Sequence, residues 1–424
     1  MRDISPHQLD FGAIVRTGER VAWTSGTGEP LSLSERLVEQ RHAIGKFRLF
    51  LGTMYSNTLL PEHCDTIEVL GLGAVGTARR LAAAGAMNML PVHMSELGDA
   101  IRSKRIDIDV ALIQVAEDPD TGELSYGAVN FYTHDLVQAA RVVVAEINET
   151  APYTFSSQSV PKERIALAVR SRRPILEISE QAVDEVSASI GRHVAEIVPD
   201  RAVLQIGVGA IPRAVMSALR NHRDLGLLSG MIGDSVIPLV EAGVITNAYK
   251  TVDRGISHTG TLLGSKKLYR FAHRNKALKV EPVSVTHAFD TLRACPRFTS
   301  INSALEVDLT GQVNSEVAEN AYVGTVGGQL DFARGAGAAD HGLAIVAVPA
   351  LTKSGKSRIV PRIASGVVTM ARSDVDYVVT EFGAVQLRGH SLSERARRLI
   401  SIAHPDRREE LERAAHEFPG VSRL

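Results

Sequence analysis

The chain has 424 residues, enough for two or three domains of ordinary size, each with its own core. Its 47 Lys and Arg residues against 48 Asp and Glu give a formal net charge of −1 with no block of like charge. That balance argues against a nucleic-acid or membrane surface and for a small-molecule partner.

Cysteine chemistry is equally restricted. Only Cys64 and Cys295 are present, so neither a disulfide framework nor a cysteine-based metal site is expected, and each thiol reads as a plain buried side chain. The opening "MRDISPHQLDFGA" lacks the apolar stretch of a secretion signal, and no window approaches the roughly 18 apolar residues of a membrane span. A soluble, cytoplasmic protein without a metal is the expectation.

In chain order, "TIEVL" (66–70), "DVALIQV" (109–115) and "RVVVAEI" (141–147) read as buried strands, followed later by "LAIVAVPA" (343–350) and "VDYVVTEF" (375–382). Between them "TARRLAAAGA", "HDLVQAAR" and "IPRAVMSALRNH" have helical spacing, an alternation that predicts mainly parallel sheets covered by helices. The long amphipathic stretch "SEQAVDEVSASIGRHVAEIV" (179–198) separates two strand-rich halves, and the domains are drawn as 1–185 and 186–424. "SLSER" occurs at 32–36 and again at 391–395, each copy reading as a Ser-x-x-Glu capping box that opens a helix.

Three glycine clusters stand at candidate strand ends. In "IEVLGLGAVGTARRLAAAG", Gly71, Gly73 and Gly76 have the spacing of a dinucleotide fingerprint. The ribose-binding acid that such a site needs about 20 residues on has only Glu96 as a candidate, in a helical context, so a tight strand-to-helix turn is the favoured reading. In "VLQIGVGAIPRAV" (203–215) a strand runs into Gly207 and Gly209, and Pro212 falls in the first turn of a helix. Free amides there could face an anion or a developing oxyanion. The third cluster, "AYVGTVGGQLDFARGAGAADHG" (321–342), brings Gly324, Gly327 and Gly328 together, a pattern that suits either close backbone approach to a ligand or a mobile loop.

The stretches "QIGVGAIPRAV", "VITNAYK", "LLGSKKLYRF", "SINSALEVDLTGQVNSE", "GTVGGQLDFARGA", "SRIVPRI" and "VVTEFGAVQLRGHSLSERARRLISIAHPDRREEL" follow one another in this order. Together they resemble the acetyl-CoA hydrolase/transferase family of class I CoA-transferases, densely from about residue 200 to 415 and more loosely before. The resemblance implies two similar α/β domains with the active site in the cleft between them, a homodimer, and an acyl-CoA thioester as substrate with no permanently bound cofactor. It also implies a glutamate that attacks the thioester and then carries CoA.

At the place of that glutamate, in "LGLLSGMIGDS" (225–235), this chain has Gly230, while Asp234 matches an aspartate of the family pattern. Glycine can form neither an anhydride nor a thioester. The resemblance further places Gln205, Gly207, Val208 and Gly209 at the substrate carboxylate or oxyanion, and Asn302, Gly324, Gly327 and Gly328 along CoA. An Arg of the family pattern is missing from "NETAPYTFSS" (148–157), which implies a changed acyl or acceptor pocket.

Several readings follow. Water or a non-carboxylate acceptor attacks the thioester directly, with Asp234, Glu316 or His258 as the general base. Alternatively the reaction lies within the acyl group, as hydrolysis or cyclisation, or the protein binds CoA esters without catalysis, or another carboxylate substitutes and conventional transfer survives.

Overall fold

Residues 110–116 are buried without a break, and that burial shows how the first half of the chain is built. The computed structural model describes residues 1–417 and 420–421. Within it the chain forms two compact units.

The first unit comprises residues 1–179, 258–286 and 321–327. Its strands are β1 (Arg2–Ile4), β2 (Arg20–Trp23), β3 (Phe47–Leu51), β4 (Ile67–Gly71), β5 (Met87–Met89), β6 (Val110–Glu117), β7 (Leu124–Ser125), β8 (Val142–Asn148) and β9 (Ile165–Ser171). They are ordered β1-β9-β8-β6-β2-β3-β4-β5, with β7 set against β6. All the pairings along that path are parallel.

Parallel strands need covered faces, and alternate residues serve the two sides. Val110, Leu112 and Val144 join one core cluster; Ala111, Ile113 and Ala145 join the other. Helix α1 (Leu31–Glu39) puts Leu33, Leu37 and Val38 into the first cluster, while α2 (Met94–Arg102) and α3 (Thr133–Ala139) cover the second with Leu97, Ile101, Leu136 and Val137. A fully buried leucine contributes about 1.5–3 kcal/mol in such a layer.

The second unit comprises, among the described residues, 180–257, 287–320, 328–417 and 420–421. It opens with helix α4 (Glu185–Ile197), whose N-cap Asp184 accepts a hydrogen bond from Ser187 N–H at 2.8 Å. Its strands include β10 (Val203–Ile206), β11 (Gly226–Ser229), β12 (Phe298–Ser303), β13 (Leu343–Ala347), β14 (Tyr377–Thr380) and β15 (Gly383–Gln386). These neighbour one another in the order β11-β10-β12-β13-β14-β15, parallel except for the last pair. Helices α5 (Ala210–Ala218), α6 (Gln329–Ala338) and α7 (Leu392–Ser401) accompany them, and α6 and α7 place Phe332, Ala336, Leu399 and Ile400 in one large core cluster.

The sequence-based division at 185/186 differs from the observed one. The first cut falls at 179/180, and two later segments return to the first unit, an exchange that a linear reading of the chain does not register. The two SLSER copies also differ. At 391–395 the capping box forms, Ser391 and Glu394 exchanging hydrogen bonds across the first turn of α7. At 32–36 it does not: Pro30 is the N-cap, and Ser32 lies inside α1, where its N–H and Oγ donate to the buried Glu146 at 2.9 and 2.8 Å.

Candidate functional site

In the second unit the chain leaves β10, forms β11 on one side, and later returns to form β12 on the other. The carboxyl end of β10 is therefore a topological switch point, where the following connections diverge and leave room for a ligand. Gly207, Val208 and Gly209 occupy that end, and α5 starts immediately after them. Gly209 has φ +123°, a backbone region reserved for glycine, and this lets the strand turn directly into the helix. Pro212 is the third helical residue, where a missing N–H breaks no helical bond. Gly207 and Gly209 are part-exposed and Val208 is exposed, so the turn is open to solvent.

Two side chains stand on adjacent strands just before this turn. Gln205 on β10 and Asn302 on β12 exchange hydrogen bonds: Asn302 Nδ2 donates to Gln205 Oε1 at 2.9 Å, and Gln205 Nε2 donates to Asn302 Oδ1 at 3.2 Å. Each amide keeps one more donor hydrogen and one more acceptor site for a third group.

The neighbouring turn is held by Ser229 at the end of β11. Its Oγ accepts from Ile206 N–H at 3.2 Å and lies 2.8 Å from both the Ile206 and Met231 carbonyl oxygens. This hydroxyl is fully buried and fully engaged, so it braces the turn and is not a nucleophile. Through it the end of β10 and the Gly230 turn are tied together.

Gly230 itself faces an imidazole. A Cβ built on it would lie 2.8 Å from Cε1 and 2.9 Å from Nε2 of His287, and 3.3 Å from Cζ of Phe332. The same ring crowds Gly328, where a Cβ would lie 2.5 Å from both Cδ2 and Nε2. His287 is 2% exposed and lies on Phe332 with ring centroids 4.5 Å apart. Burial depresses its pKa from 6.5 to about 3, so the ring is neutral at ordinary pH. Two glycines thus leave a slot for one histidine, and a neutral aromatic base occupies the space that a side chain at position 230 would enter.

The other expected site residues are more scattered. Asp234 opens a short 3-10 turn, Asp234–Val236, and is part-exposed. Glu316 is 5% exposed, and its Oε1 accepts from Thr369 Oγ1 at 2.8 Å, a bond that braces the segment after Asn314. His258 is buried in the strand Ser257–Thr259 and groups with the first unit. The three nearest atoms to a side chain at Gly230 come from His287 and Phe332, not from any of these candidates.

The glycine cluster 324–328 is divided: Gly324 and Gly327 belong to the first unit, Gly328 to the second. Gly324 O accepts from Ala74 N–H at 2.9 Å, and Thr325 Oγ1 donates to Leu72 O at 2.6 Å, so this segment docks on the turn of the fingerprint-like glycines. A Cβ on Gly73 would strike Thr325, and one on Gly76 would lie 2.1 Å from Met54 O. These glycines admit neighbouring chain, as the tight-turn reading requires, and Glu96 sits in the first turn of α2. Gly328 is similarly explained by the imidazole beside it. No signal in the sequence singled out His287; only the fold brings "VTHAF" to position 230.

Among the described residues no group of three or more His, Cys, Asp or Glu is gathered to hold a metal, and no helix is long and apolar enough to cross a membrane.

Comparison with known proteins agrees with this architecture. The crystal structure of RipA from Yersinia pestis superposes with a TM-score of 0.92 at 30% identity, covering 98% of this chain and 97% of that one. A 4-hydroxybutyrate CoA-transferase structure from Porphyromonas gingivalis gives a TM-score of 0.81 at 30% identity with the same coverage. The protein is an α/β enzyme with the class I CoA-transferase fold. Residues 5–160 match the acetyl-CoA hydrolase/transferase N-terminal domain, and residues 264–415 match the C-terminal domain. The chain is also 37% identical over 404 residues to the 4-hydroxybutyrate coenzyme A transferase of Clostridium kluyveri, covering 94% of each. It belongs to the acetyl-CoA hydrolase/transferase family.

Proposed function

We propose that this enzyme acts on an acyl-CoA thioester without forming a glutamyl-CoA intermediate. Water, or another acceptor that is not a carboxylate, attacks the thioester carbonyl; the C–S bond breaks and CoA leaves as the thiol. The observation that carries this reading is the slot at Gly230, which holds no carboxylate and is filled by an uncharged ring. The amides of the 207–209 turn and the free positions of the Gln205–Asn302 pair are suited to an oxyanion at the switch point. CoA thioester is the substrate in this reading, with no resident cofactor, and the CoA-binding assignment of Asn302, Gly324, Gly327 and Gly328 rests on the family resemblance. A homodimer in the cytoplasm belongs to the same proposal.

The test is CoA release from a panel of acyl-CoAs, measured with and without acetate. Release independent of acetate is the expected result. Acetate-dependent exchange would overturn the reading and restore conventional transfer. Silence together with tight CoA binding would mark a CoA-ester-binding protein.

A further inference from the structure

We infer that His287 is the general base of this enzyme, its imidazole taking a proton from the attacking acceptor beside Gly230. The assignment rests on the proposed reaction and names the group that drives it. It is carried by position: both Gly230 and Gly328 lack the side chain that would displace the ring, and Nε2 is the ring nitrogen facing both of them, 2.9 and 2.5 Å from where their Cβ atoms would be. Phe332 holds the ring from another side. Ordinary packing would be met by an apolar side chain between two glycines and a phenylalanine. A histidine there places a proton acceptor in the volume belonging to position 230.

Its neutrality fits the task. An imidazolium could not accept a proton; burial keeps this ring unprotonated before substrate arrives and by the same effect makes it a weaker base than a free imidazole. When an acceptor O–H adds to the thioester carbon, a C–O bond forms, the proton passes to Nε2, and negative charge collects on the former carbonyl oxygen. The low dielectric that withholds a proton from the empty site strengthens the pairing of the new imidazolium with that oxyanion. As the C–S bond breaks, the same proton passes to the CoA sulfur, and the ring returns to its starting state with atoms and charge balanced.

The experiment compares the full-length parent with His287→Gln and His287→Ala, reading CoA release, CoA affinity and unfolding midpoint. Gln retains a polar group of similar reach but cannot accept the proton. The expected result is a folded Gln variant with near-parental CoA affinity and a rate lower by about 10²–10⁴-fold. Added imidazole should raise the rate of the Ala variant, whereas pyrrole, of the same shape but not basic, should not. A Gln variant that does not fold or retains about a tenth or more of the rate would assign the ring to packing and overturn the inference. So would rescue by pyrrole. A parent that releases no CoA from any substrate removes the proposed function itself. An active parent indifferent to His287→Gln removes only this assignment.

Discussion

Gln205 and Asn302 satisfy each other across β10 and β12, two strands whose carboxyl ends border the switch point. Gln205 is 3% exposed, so Asn302 supplies a partner that solvent does not readily replace. Asn302→Ala should cost about 1–3 kcal/mol by leaving the Gln205 amide unsatisfied. Denaturant unfolding measures this directly, and an unchanged midpoint would show that the pair is dispensable. Weaker acyl-CoA binding by the same variant, read by calorimetry, would tie the pair to the ligand as well as to the fold.

A second expectation concerns covalent chemistry. Incubation with an acyl-CoA should leave no CoA thioester on the protein, because position 230 offers no carboxylate. Intact-protein mass spectrometry reads this without assumptions about rate. A stable mass increase of one CoA, mapped to Asp234 or Glu316, would mean that the nucleophile had moved.

The parallel α/β architecture was readable from uninterrupted apolar runs. "DVALIQV" and "RVVVAEI" became β6 and β8 because strands covered on both faces leave no polar alternation to obscure them. The amphipathic stretch 179–198 is helical only from Glu185, since Asp184 takes the cap and begins the helix there. The glycine turn of 207–209 was legible because strand, glycine and proline follow in sequence. What surrounds Gly230 was not. His287 arrives from a distant segment, and the close approach of its ring to Gly230 and Gly328 has no counterpart in the local sequence of either glycine.

The buried ring also makes a stability prediction. His287 has a folded pKa of about 3, below its unfolded value of 6.5, so between those values the unfolded chain binds the extra proton. The stability associated with the neutral ring is complete above pH 6.5 and declines as pH falls toward about 3, by at most about 1.4 kcal/mol per pH unit. His287→Gln should remove that part of the dependence. Unfolding of parent and variant at pH 7.5 and pH 5 should show the parent losing more on acidification. Equal losses would mean that the ring is not held neutral.

The last prediction is that Gly230→Glu alone will not create CoA transfer, whereas Gly230→Glu combined with His287→Ala will. Gly230 has no positive φ, so its backbone accepts a side chain; the obstacle is the imidazole 2.8 Å from the new Cβ. On its Gly328 side the ring lies 2.5 Å from where a Cβ would stand, and Phe332 packs against it from another direction. The single variant should therefore lose about 1–3 kcal/mol through overpacking and direct its carboxylate away from the site. Removing the imidazole vacates the volume, and the glutamate can then attack a thioester carbonyl, release CoA, and take it back as a glutamyl thioester. Isotope exchange between labelled acetate and acyl-CoA separates the variants. Exchange by the single variant would show that the ring yields easily. A double variant that folds, binds CoA and exchanges no more than the parent would show that the acceptor pocket, already lacking the Arg expected within residues 148–157, has been rebuilt beyond position 230.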